Sequence, residues 1–107
     1  MSEFLQVVTT IDTQEGAQRI ADDLVARLLA ACVQIAGPIT STYRWEGSQE
    51  TTEEWVCTIK TMANSYESVE RAIRLIHPYD VPEILATPIS AGNPDYLQWL
   101  RGQVEGA

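Results

Sequence analysis

The chain has 107 residues, 45% of them hydrophobic, and seven basic side chains face fifteen acidic ones for a formal charge of -8. That length and apolar content suffice for a single domain, residues 1–107, with a core of its own and no need of a disulfide or metal staple. The acid excess argues against nucleic acid, whose phosphates need clustered Lys and Arg, and against an anionic membrane surface.

The first apolar run, Phe4 to Val8, is short and lacks the basic flank of a targeting segment. No stretch approaches the length of a membrane span, so the cytoplasm is the expected location. Cys32 and Cys57 are the two cysteines, each inside an apolar, extended run. A disulfide framework or zinc site needs more ligands at closer spacing, so both are expected to be buried free thiols.

Residues 4–11, rich in β-branched side chains, predict a first strand. Asp12 offers an N-cap, with Glu15 at capping-box spacing, and Ala17, Ile20, Ala21, Leu24 and Leu28 follow at helical intervals, so a helix is expected over 13–30. Residues 32–36 and 39–46 look extended around Gly37-Pro38; a proline there implies an edge strand or a bulge. Glu46-Gly47-Ser48 supplies turn chemistry, and 53–61 reads as the returning strand of a hairpin. Asn64, with Glu67 at the box position, opens a second helix whose stripe is Val69, Ala72, Ile73 and Ile76. His77-Pro78 ends it, because the residue before proline is pushed out of the helical region. Residues 83–89 form a fourth strand, and Asn93-Pro94 caps a short last helix carrying Tyr96, Leu97, Trp99 and Leu100.

The order β-α-β-β-α-β plus one helix predicts an α+β, ferredoxin-like sandwich: an antiparallel sheet with both main helices on one face. The hairpin is long for such a domain. Fourteen residues at ~3.3 Å each span roughly 46 Å, against a diameter of roughly 34 Å for a globule of this size. The arm, expected to carry Tyr43, Trp45 and Trp55, therefore overhangs the body. Isolated two-stranded ribbons are marginal in water and exposed aromatic clusters mark interfaces, so another subunit is expected to receive it.

The sequence contains no glycine-rich phosphate loop, HExxH, paired CxxC or nucleophile elbow, so an enzyme is not expected. His77, the one histidine, sits at a helix end where it can face the helix dipole. Strand alternation puts Glu54 on one face with Lys60, as a solvated sheet face or as two charges meeting a ligand. Arg44 is either an edge charge against aggregation or a ligand contact.

The segments Ala31-Cys32-Val33-Gln34-Ile35, Ser41-Thr42-Tyr43-Arg44-Trp45-Glu46-Gly47, Ile59-Lys60-Thr61, His77-Pro78-Tyr79-Asp80-Val81-Pro82-Glu83-Ile84 and Tyr96-Leu97-Gln98-Trp99-Leu100 resemble the CutA family of divalent-cation tolerance proteins. The match covers nearly the whole chain in order. The resemblance implies a ferredoxin-like homotrimer, similar to the PII signalling proteins, whose long hairpins make intersubunit sheets. It implies copper binding through a cysteine late in the first strand and histidines before the Pro-Tyr pair. Here Thr9 and Ile76 stand at two of those positions and His77 alone remains. One imidazole is a poor copper site, so any metal is expected to be held weakly, and no cofactor is required.

The expected function is thus a trimeric, cytoplasmic, non-enzymatic protein of metal binding or homeostasis. Two alternatives stand beside it. One is a PII-like module holding a small ligand or partner in intersubunit clefts, with Tyr43, Trp45, Glu54, Lys60, Tyr79 and Glu83 as candidate residues, where aromatic bodies accompany a few charges. The other is a structural scaffold.

Overall fold

A computed structural model describes residues 2–105. The apolar, β-branched residues of β1 (Phe4–Ile11) run through the centre of a four-stranded antiparallel sheet. Thr13, not Asp12, caps α1 (Gln14–Ala26): its hydroxyl accepts from the Gly16 amide at 3.0 Å. The helix stops four residues short of the expected end because Leu28 turns into the left-handed region (φ 59), which lets the Leu29 amide donate back to the Leu24 carbonyl. No glycine marks that turn in the sequence.

The arm follows as β2 (Cys32–Trp45) and β3 (Ser48–Met62). The register shifts by a bulge between Ala36 and Ile39, at Gly37-Pro38. A Cβ on Gly37 would stand 2.6 Å from Cδ1 of Trp55, so only glycine lets the strand pass under that ring. Glu46 and Gly47, both at positive φ (49 and 82), make a tight two-residue turn that matches strand twist. The returning strand therefore starts at Ser48, five residues before the expected 53. Its first half, Ser48 to Glu53, is polar and carries no hydrophobic alternation, so only pairing with β2 makes it a strand.

A single 3-10 turn, Ala63–Ser65, precedes α2 (Tyr66–Ile76), so the helix opens two residues later than Asn64 suggests. His77 caps α2 in an extended conformation before Pro78. The chain returns as β4 (Ile84–Pro88), a residue shorter at each end than expected. Finally α3 (Pro94–Gln103) starts where Asn93 Oδ1 accepts from the Asp95 amide at 2.9 Å.

The strand order β2-β3-β1-β4 is that of the ferredoxin-like fold. Val7, Ile11, Cys57 and Ile59 from one sheet face meet Ile20 and Leu24 of α1 and Val69 and Ile73 of α2 in one buried cluster. On the other face α3 covers only one end, with Leu100 and Val104 packed on Met62 and Phe4. The rest, including Val8, Val56 and a 61% exposed Leu85, carries no helix. The molecule is 44 Å long and 25 by 22 Å across, so the arm projects well past the body.

Two sequence expectations are corrected by packing. Trp55 is not on the outer arm; it faces the helices and packs against the core cluster, leaving Tyr43 and Trp45 as the arm's exposed rings. Cys57 is fully buried, and burial pushes its thiol up to about 11, whereas Cys32 lies half-buried on the open sheet face.

Candidate functional site

Where the arm meets the loop after α2, the structure forms a pocket of about 580 Å³ that runs along the outer half of β2. Its floor comes from strand alternation. Ile39 pairs with Glu54, Ser41 with Thr52 and Tyr43 with Glu50, so Ser41, Tyr43 and Trp45 share a face with Glu54. Thr10 joins them from β1, opposite Val56. The roof is the segment Tyr79 to Glu83, which leaves the end of α2 and crosses to β4.

His77 fixes that roof. Its ring is buried, Nε2 lies 2.7 Å from the Thr10 carbonyl oxygen, and the Tyr79 amide donates to Nδ1 at 3.2 Å. Because Nδ1 accepts, Nε2 carries the proton and donates to Thr10, which assigns the neutral tautomer from the hydrogen-bond network. The imidazole thus ties the loop to β1, with the Tyr79 ring edge-on at 4.6 Å between centroids.

Tyr79 in turn reaches Glu54. Its hydroxyl donates to Glu54 Oε2 at 2.8 Å, and Glu54 is only 6% exposed. Burial, and then the neighbouring Glu54 carboxylate, push the Tyr79 hydroxyl well above the usual tyrosine range, so it stays a neutral donor. Glu54 is a carboxylate buried against a single hydroxyl, with no cation bonded to it among the described residues.

Of the residues singled out from the sequence, the structure brings Tyr43, Trp45, Glu54, Tyr79 and Glu83 to this pocket. Lys60 does not join them. It shares the strand face with Glu54 but lies six residues further along β3, ~20 Å at ~3.3 Å per residue, where its ammonium donates to Gln34 Oε1. Within one chain the pocket is therefore acidic, and Lys60 is not among its lining residues. Arg44 does not line the pocket either; it sits exposed near the arm's tip. Thr10, Ser41, Thr42 and Val81 were not foreseen. Alternation from Tyr43 could have found Ser41, but Thr10 requires the strand register.

A ferredoxin-like sheet with a projecting arm and a pocket beside the arm defines the class of protein. The comparisons with known proteins then narrow it: residues 5–103 match the family model described as CutA1 divalent ion tolerance protein, and the chain belongs to that family. It is 42% identical over 95 residues to the divalent-cation tolerance protein CutA of Thermus thermophilus, a match covering 89% of this chain and 92% of that one. The chloroplastic protein CutA 1 of Oryza sativa is 39% identical over 89% of this chain, but the match spans 54% of the rice protein. The crystal structure of CutA1 from the psychrotrophic bacterium Shewanella sp. SIB1 superimposes with a TM-score of 0.95 at 39% identity, covering 98% of each chain.

The family description implies a divalent cation, and the donor set of this chain does not fit one. Both nitrogens of His77 are committed to the fold. Thr9 is fully buried toward the helices, with its hydroxyl unpaired. Among the described residues no three His, Cys, Asp or Glu side chains group closely enough to hold a metal ion, the three carboxylates of the pocket included. Among the described residues no helix is long and apolar enough to cross a membrane.

Proposed function

We propose that this protein is a non-enzymatic, homotrimeric binding module that works in the cytoplasm and holds a small ligand in the pocket beside its arm. The observation that carries this is the buried Glu54 carboxylate beside an open pocket with aromatic walls, placed along an arm that has no support of its own. Such rooms, mostly apolar with a few convergent polar groups and roughly 300–1,000 Å³ in volume, are the usual form of a ligand site. The trimer is supported by the arm's half-exposed Tyr43 and Trp45 and by the uncovered apolar sheet face. Each arm lies against a neighbour, which gives the ribbon the packing it lacks alone.

Metal binding, where it occurs, is weak and uses surface carboxylates rather than His77. Freeing Nδ1 or Nε2 for a metal would cost the tie between the loop and β1.

The test has two parts. Light scattering should give three times the chain mass of 11.9 kDa at micromolar concentration; a folded monomer there refutes the assembly. A thermal-shift screen of metabolites, nucleotides and metals should find a stabilising small molecule, since a ligand that binds only the folded state raises its stability. A trimer that no compound stabilises refutes the binding role and leaves a scaffold.

A further inference from the structure

The chemistry of the pocket restricts what it can hold. We propose that it takes a small organic cation, a primary or quaternary ammonium, with the Glu54 carboxylate as counter-ion and the rings of Tyr43, Trp45 and Tyr79 as walls. This rests on the binding role given above and deepens it by naming the ligand class.

Charge comes first. Glu54, Asp80 and Glu83 all line the pocket, and none of the described lining residues is basic. A phosphate or carboxylate ligand would be repelled from every side, which sets this pocket apart from a nucleotide site. The net charge of -8 reinforces the bias by drawing cations to the surface.

Burial comes second. A carboxylate taken out of water needs donors or an opposite charge. Glu54 has one donor among the described residues, the Tyr79 hydroxyl, and its second oxygen opens on the pocket rather than being sealed away without a partner. A bound primary ammonium supplies the opposite charge and up to three further N–H donors, and a quaternary one supplies the charge alone. Tyr79 cannot do so, because it stays protonated and neutral.

The walls come third. A hydrated divalent metal prefers several oxygen ligands at short range, and the carboxylates here form no such group. A quaternary ammonium is larger and weakly hydrated, a primary one carries an apolar stem, and both gain from aromatic faces as well as from the carboxylate. Tyr43 and Trp45, 40% and 46% exposed in the single chain, line the same room and, in the trimer proposed above, stand where it meets the neighbouring subunit. Ser41, Thr42 and Thr10 add hydroxyls for the polar remainder of the ligand.

Calorimetry on the intact assembly tests this, with tetramethylammonium, putrescine and L-arginine methyl ester as cations, ATP and citrate as anions, and magnesium and copper chlorides as metals, all at one ionic strength. At least one organic cation should bind. Glu54→Gln, which keeps an acceptor for Tyr79, should weaken that binding by about tenfold or more, the scale of a lost charge-assisted contact. Should that variant fold poorly, Asp80→Asn with Glu83→Gln changes only exposed side chains and should still weaken it by about two- to fivefold. Lys60→Gln, outside the pocket, should leave it unchanged. Binding of ATP or citrate without any organic cation overturns the ligand class and leaves the binding role standing. Binding of the metals alone does the same. Cation binding untouched by both sets of pocket substitutions overturns the site. A trimer that binds none of the probes overturns the cation assignment, and the binding role then stands or falls on the wider screen.

Discussion

Replacing Tyr79 by Phe removes one oxygen atom and isolates Glu54. The ring can keep its edge-on contact with His77, 4.6 Å between centroids, so packing changes little. What disappears is the 2.8 Å hydrogen bond to a carboxylate that is 6% exposed. Hydrogen bonds to charged groups contribute ~1.5–3 kcal/mol, and leaving the charged partner unsatisfied pushes toward the upper end. The pocket can admit water to Glu54 and recover part of this, so a loss of ~1.5–2 kcal/mol is expected. Urea denaturation at neutral pH and fixed protein concentration measures it. A double-mutant cycle with Glu54→Leu, which removes the acceptor, isolates the pair and should return a coupling of at least ~1 kcal/mol. The pH dependence gives a second readout. The Tyr79 pKa is raised on folding, so its contribution is fully present below the unfolded tyrosine pKa of ~10 and falls as pH rises from there toward the folded value. Tyr66, Tyr96 and Cys57 are shifted in the same direction, so the signal is the difference between wild type and variant, not the alkaline fall itself. A Tyr79→Phe protein within ~0.5 kcal/mol of wild type, a typical surface effect, would refute the view of Glu54 as a buried, singly partnered carboxylate.

Trp45→Ala should raise the concentration at which the assembly dissociates by at least tenfold while leaving the far-ultraviolet spectrum of the body intact, because a large aromatic buried at an interface costs ~3–5 kcal/mol on truncation; unchanged dissociation would refute arm docking through this ring. Gly37→Ala should destabilise by ~1–3 kcal/mol in urea, since its Cβ would lie 2.6 Å from the packed Trp55 ring, and wild-type stability would show that β2 can shift away. Thr9→Val should be neutral or stabilise by up to ~1 kcal/mol, because it removes a buried hydroxyl without a partner; a clear loss would mean that the hydroxyl is bonded in solution. His77→Ala should lower stability by ~1–3 kcal/mol through the two lost hydrogen bonds, yet leave any weak copper binding unaltered by calorimetry; copper binding abolished by it would reinstate the imidazole as ligand.

The sequence by itself determined most of the fold, because the signals involved are local or periodic. β-Branched runs, helical stripes and the Asn93-Pro94 cap depend on neighbours a few residues away, and they placed β1 and α3 as observed. Counting the residues of β2 was enough to predict an overhang. The motif segments were dense enough to carry the family resemblance. What escaped was set by partners distant in the chain. The first half of β3 is a strand only because β2 pairs with it, and α1 ends at a left-handed Leu28 that no residue type announces. The site followed the same division. Glu54, Tyr79 and Glu83 could be nominated as residue types, but their electrostatics could not. Alternation put Glu54 and Lys60 on one face and suggested a mixed-charge cleft. Their six-residue spacing along one strand was already in the sequence; the tertiary structure folded the His77–Glu83 loop over Glu54 and made the pocket acidic. His77 changed meaning for the same reason: a lone histidine before proline reads as a ligand until Thr10, 67 residues away, takes one nitrogen and the Tyr79 amide takes the other. An imidazole with each nitrogen already hydrogen-bonded cannot take a metal without giving up one of those bonds, and only the packed chain reveals that both are taken.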